Sequence, residues 1–211
     1  MGLKDMFEDL KKEVKVVQGE ETKDKEYSNH NEFADEATAI KEFERSKKKL
    51  FAVNTWSKIA GSNSEFRLYD ERGRRTTAEK PEIGYYIEII LPASTIDNWV
   101  KVTAIREEAN LAEFVVHPSE KPQERGQEEK VIEHFFIKEA SSTFRVMREG
   151  KTLHAYEIGR NEGINNRGDE AGDRALLNTL VAEGGWAGVQ ALQWGRLTRY
   201  LVHLDELEQP D

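Results

Sequence analysis

Residues 134–166 read HFFIKEASSTFRVMREGKTLHAYEIGRNEGINN. Two runs of strand-forming residues, Thr143–Arg148 and Lys151–Ile158, flank Glu149-Gly150, a dipeptide suited to a tight hairpin turn. The second run ends in Gly159-Arg160-Asn161-Glu162-Gly163-Ile164-Asn165-Asn166, a cluster of turn formers that brings ionic and amide side chains to a strand end. Upstream of this hairpin the sequence is rich in strand patterns. Downstream it is helical. That order decides the fold class.

Working back from the hairpin, Val131–Ile137 is a further predicted strand, preceded by a polar loop at 119–130. Leu111–His117 and Trp99–Ile105 form a hairpin around Glu107-Glu108-Ala109-Asn110, with Pro118 as its stop. In the second of these strands Val100, Val102 and Ala104 alternate with Trp99, Lys101, Thr103 and Ile105. Gly84–Leu91 alternates Tyr85, Ile87, Ile89 and Leu91 against Tyr86, Glu88 and Ile90. Glu65–Tyr69 carries Phe66 and Leu68 on one face and turns at Asp70-Glu71-Arg72-Gly73. Residues 32–53 predict a helix, capped by Asn29 or Asn31, with Phe33, Ala37, Ile40, Phe43, Leu50 and Phe51 largely on one face. Trp56 is expected to plug the core edge where helix meets sheet, and Gly61 to end that segment.

Forward from the hairpin, Ala171–Ala182 and Trp186–Val202 predict helix, interrupted at Gly184-Gly185. Gly188, Ala191 and Gly195 share one face of the last helix. Glycine inside a helix costs about 1 kcal/mol relative to alanine, so this face predicts close packing on the sheet. At the start, Leu3, Met6, Phe7, Leu10 and Val14 give residues 3–14 an amphipathic helical pattern. Residues 18–31 are nearly all polar and read as a linker. The expected organisation is an amphipathic helix and polar linker over 1–30, a single α+β domain over 31–205 and an acidic tail over 206–211.

The expected architecture is α+β. A curved antiparallel sheet of about six or seven strands packs around a long C-terminal helix, because a sheet with one buried face needs a helix over it. Trp56 after the first helix, Ile83-Gly84 opening a strand, Trp99-Val100-Lys101-Val102 and the hairpin around Thr143 resemble the helix-grip fold of the START and polyketide-cyclase superfamily. The resemblance extends loosely over residues 50–202. It implies a sheet wrapped on the last helix with an apolar-ligand cavity between them. It implies no particular catalytic residue. The chain also resembles an uncharacterised bacterial domain family, which adds no function.

Composition narrows the chemistry. Of the 211 residues 37% are hydrophobic and 34% charged, with a formal net charge of −9. An acidic chain repels phosphate, and its densest basic run, Lys47-Lys48-Lys49, falls on a helix as a solvated face, so no nucleic-acid partner is expected. With no cysteine, thiolate catalysis, disulfides and cysteine-based zinc sites are excluded. The N-terminal stretch carries no apolar signal region, Gly2 is followed by Met6 where a myristoylation pattern needs Ser or Thr, and no apolar run reaches membrane-spanning length. A cytoplasmic location is expected. There is no phosphate loop, dinucleotide fingerprint, zinc-protease or nucleophile-elbow motif, and no cofactor is assigned.

Among the histidines, His117, His134 and His154 fall on or beside strands, where Glu133 or Glu157 would complete a zinc or iron set. No local ligand spacing supports it, and no metal is assigned. Arg160, Asn161 and Glu162 stand at a strand end, where loop residues on a rigid scaffold are frequent sites. They suit turn and cap geometry equally. The ligand-binding candidates are Trp99, Tyr86, Tyr156, Arg160, Asn161 and Trp194. The catalytic candidates are Glu162, His134 and His154, acting as acid and base with Arg160 as an anion clamp. The first expectation is a binding protein for a small apolar or aromatic molecule. A cyclase-, hydrolase- or isomerase-type enzyme using the same cavity is the second. A structural or interaction protein, homodimerising through the helix at 3–14, is the third.

Overall fold

The computed structural model describes residues 23–61, 64–90, 98–122, 139–162 and 185–207. In chain order these form β1 (Lys23–Glu32), α1 (Glu36–Phe51), a short 3-10 helix (Val53–Lys58), β2 (Glu65–Tyr69), β3 (Tyr86–Ile90), β4 (Asn98–Glu108), β5 (Leu111–Ser119), β6 (Ser141–Glu149), β7 (Thr152–Glu162) and α2 (Gly185–Leu201). The strands make one antiparallel sheet in the order β1-β7-β6-β5-β4-β3-β2. Both helices pack against the same face, here the inner face. The helix expected at 3–14, the strand at 131–137, the helix at 171–182 and His134 lie outside the described residues. No helix among the described residues is long and apolar enough to cross a membrane.

The decisive hairpin forms as its sequence predicts. Glu149 pairs with Thr152 across a turn in which Gly150 has φ 56°, a left-handed conformation that costs glycine nothing. The ladder then runs to Ser141 opposite Arg160. The β4–β5 hairpin closes Glu108 against Leu111 and carries a bulge between Val102 and Ala104. Pro118 does not end β5, which runs on to Ser119 opposite Trp99. It lies past Val116, where the pairing with β6 stops and a missing N–H is tolerated.

The linker reading of 18–31 is overturned from residue 23 onward. Lys23–Glu32 is an edge strand that pairs with β7. Its polar composition hid it, because beside Tyr27 two of its inward-facing positions, Asn29 and Asn31, are amides rather than apolar groups. Asn29 Nδ2 donates to Thr198 Oγ1 at 2.9 Å and Asn31 Nδ2 to the Val202 carbonyl at 2.9 Å. The same strand removes Asn29 and Asn31 as helix caps. Asp35 caps α1 instead, accepting the Thr38 N–H on Oδ1 at 2.7 Å. The buried stripe of α1 is also rotated from the expected one. Ala39, Phe43, Ser46, Leu50 and Phe51 face the core, while Ala37 and Ile40 are exposed.

Trp56 fills the junction of helix and sheet. Its ring centroid lies 5.1 Å from Phe144 and 5.5 Å from Phe66, and its Nε1 donates to the Lys49 carbonyl. The apolar inner-face residues of β2 to β7, including Leu68, Ile87, Val102, Phe114, Val146 and Leu153, complete the core with Leu201 from α2. The C-terminal end of α2 leaves carbonyls that its own turns cannot satisfy. Ser46 Oγ donates to the Leu201 carbonyl at 2.7 Å and Lys49 Nζ to that of Tyr200 at 2.9 Å. His203, at φ 64°, turns the chain left-handed past the helix, and the Leu204 N–H returns to Arg199.

Candidate functional site

The inner face between the β1–β7 edge and α2 differs from the rest of the core. Strict alternation on β7 turns Leu153, Ala155 and Glu157 inward, and all three are fully buried. Glu157 stands opposite Phe144 on β6 and Tyr27 on β1. It is not isolated there, since it interacts with other groups of the protein. A carboxylate taken out of water is costly without partners, and these interactions offset that cost. Across from it, α2 contributes Trp194, whose ring centroid is 5.4 Å from Phe144 and 6.2 Å from Phe66.

Gly195 follows Trp194 on the helix. A Cβ at Gly195 would meet no heavy atom within 4 Å. Close packing at this position, expected from the small-residue face, is therefore overturned. The helix is held over the strand by hydrogen bonds, with Asn29 Nδ2 reaching the Gly195 carbonyl at 3.4 Å and Thr198 Oγ1 at 2.9 Å. Beside the packed Trp194, a Cβ at Gly195 would therefore enter open space.

The residues singled out in the sequence are dispersed. Among the described side chains, Trp194 alone stands on the inner face beside Gly195. His154 and Tyr156 have the opposite parity on β7 and lie on the outer face, their rings 6.3 Å apart and nearly parallel. Burial, followed by the nearby Glu26 carboxylate, raises the Tyr156 phenol above its ordinary range. Tyr86 is also on the outer face, with Lys101 Nζ 5.1 Å above its ring. Trp99 is only 1% exposed although it belongs to the outer face, where it meets Tyr69 edge-on at 4.7 Å. Tyr69 donates to the buried Glu88 at 2.8 Å, and burial, then that bond, raises its phenol.

Arg160 is 54% exposed and donates to Asp24 Oδ2 at 2.9 Å. Asn161, at φ 52°, donates its backbone N–H to the other oxygen of Asp24. Arg160 and Asn161 therefore lock the end of β7 to the start of β1. Glu162 is the last residue of β7, eight positions from His154. At ~3.3 Å per strand residue that is about 26 Å, so the two are not brought to one reacting atom. The side chain of Glu162, like His134, lies outside the described residues.

Sequence reasoning passed over Glu157 and Asn29 as interior groups. The signal for Glu157 was present, since it shares parity with Leu153 and Ala155. Asn29 gave none, because an amide facing a helix looks like any polar residue.

No family model matches the chain, and no curated protein matches it. Among solved structures, a hypothetical protein of Helicobacter pylori superposes with a TM-score of 0.51 at 9% identity, over 89% of this chain and 92% of that one. Norcoclaurine synthase of Thalictrum flavum gives 0.43 at 12% identity, over 90% and 91% of the two chains. A major latex-like protein of Panax ginseng gives 0.41 at 12%, over 87% and 98%. At 9% identity the first of these likenesses is one of fold. The sheet order and the position of α2 are those of a helix grip.

Proposed function

We propose that this helix-grip domain binds a small apolar or aromatic molecule between the inner face of its sheet and α2. The observation that carries the reading is the open space at Gly195 beside a buried tryptophan, at a position where close packing was expected. Ligand sites are concave and mainly apolar, with a few fixed polar groups to set orientation. Trp194 and Phe144 supply the apolar wall. Glu157, Asn29 and Thr198 are the polar groups on the same face.

The test is thermal unfolding of the full chain against a panel of aromatic and apolar small molecules, with the Gly195→Leu variant alongside. A binder should raise the wild-type midpoint and lose that effect in Gly195→Leu, because the Cβ enters open space and the side chain beyond it would compete with the ligand. If no compound moves the wild-type midpoint, or if the variant binds as the wild type does, this reading is wrong.

A further inference from the structure

On the outer face, β1 sets a second histidine against His154. His30 and His154 are direct cross-strand partners. On the other side of β7, the partner of His154 is Met147 of β6. The three residues thus lie in one row across three strands, on the face turned away from both helices. Directly opposed residues of antiparallel strands have Cβ atoms about 4.5–5.5 Å apart, so all three side chains rise from one small patch. His30 is exposed, and His154 and Met147 are partly exposed.

The spacing of the two imidazoles permits a shared ligand. The ring centroids of His30 and His154 are 5.9 Å apart with their planes 32° from parallel. A metal–nitrogen bond of about 2.0–2.1 Å, plus roughly 1.1 Å from ring nitrogen to ring centre, places two ligating imidazoles at most ~6.3 Å apart. The observed spacing lies within that limit. Tyr156 stacks beside His154 at 6.3 Å and restricts its ring on one side.

We propose that His30, His154 and Met147 form a copper-binding site on the outer face of the sheet. Neutral nitrogen and thioether donors disfavour magnesium and calcium, which take oxygen ligands. Zinc sites draw on imidazole, carboxylate and thiolate, and among the described residues no group of three or more such side chains converges. Copper accepts imidazole in both oxidation states, accepts thioether sulfur as Cu(I), and stands highest in the divalent series as Cu(II). Ligation would tie the edge strand β1 to β7 by a bond independent of the ladder.

The experiment is competition of the full chain against chromophoric chelators, with Cu(I) under anaerobic conditions and with Cu(II) and Zn(II) separately. His30→Gln and His154→Gln should each weaken copper binding in both states at least 30-fold. Met147→Leu should weaken Cu(I) at least fivefold and leave Cu(II) within twofold. Copper should also raise the unfolding midpoint of the wild type but not that of the double histidine variant, with circular dichroism verifying that the variants fold. Wild-type copper affinity in the double variant would overturn the site. Zn(II) bound as tightly as copper would overturn its assignment to copper. Unchanged Cu(I) affinity in Met147→Leu would remove the thioether as a ligand.

Discussion

The two stretches of α2 on either side of Thr198 meet the rest of the molecule in different ways. Past Thr198, Tyr200, Leu201 and Val202 are buried, and the terminal carbonyls are capped from α1 by Ser46 and Lys49 and from β1 by Asn31. Before it, Trp194 and Leu197 are buried as well and Arg196 donates to the Ala60 carbonyl, yet between them a Cβ at Gly195 would meet no neighbour. One end of the helix is anchored as core. The other is seated by Trp194 and Leu197 but leaves Gly195 uncrowded. Crowding therefore differs between neighbouring turns of the same helix, and substitutions should separate them.

The largest effect is expected at the anchored end. Leu201→Ala, at a fully buried position, should cost about 2–5 kcal/mol in chemical denaturation. A loss under 1 kcal/mol would mean that the anchor is weaker than its burial implies. Ser46→Ala removes the donor to the buried Leu201 carbonyl and should cost about 1–3 kcal/mol, with a steeper loss of amide-exchange protection in the last turn than elsewhere in α2. At the uncrowded turn the sign reverses. Gly195→Ala meets no neighbour and should gain about 0.4–1 kcal/mol, the usual return for replacing an uncrowded helical glycine. A drop in the denaturation midpoint would restore close packing and collapse the comparison.

Acid should act on the end of α2 that His203 follows. His203 is buried against Glu42, its Nε2 donating to the Glu42 carbonyl at 3.0 Å. Burial holds its imidazolium form below the ordinary histidine value, assisted by the positive charges of Lys49 and Arg45, while the Glu42 carbonyl and carboxylate pull the other way. The unfolded chain then binds the proton more readily. Stability is fully present above about pH 6.5, the unfolded value, and is lost as pH falls from there toward the depressed folded value. His203→Asn keeps a residue that tolerates the left-handed turn and should flatten this limb of a midpoint-versus-pH curve. An unchanged limb would place the acid sensitivity elsewhere.

How much could be read in advance depended on what filled the inward positions. The β6–β7 hairpin was legible because Phe144, Val146, Leu153 and Ala155 alternate cleanly around Gly150. Trp56 was legible as a core plug because nothing else about its surroundings competes. β1 was not, since Asn29 and Asn31 satisfy backbone and hydroxyl groups of α2 and a hydrophobicity pattern cannot register a hydrogen bond. The rotation of α1 was missed for a related reason. Ser46 and Ala39 carry too little apolar weight to outvote Ile40, yet the hydroxyl is needed at the end of α2. At the candidate site, a cavity under the last helix and close packing of its glycine face were both open readings, because glycine in a helix signals close approach or emptiness with the same letter.

The pairing of β1 with β7 also sets a timetable. Glu32 meets Thr152 and Lys23 meets Glu162, so the first strand of the sheet cannot find its neighbour until well over half the chain has been made. At about 5–20 residues per second that is a delay on the order of 10 s, during which residues 23–32 have no ladder to join. A strand left waiting beside its own and other nascent chains is a template for association unless its side chains resist it. KDKEYSNHNE, with Tyr27 as its one large apolar residue, is a sequence that can wait.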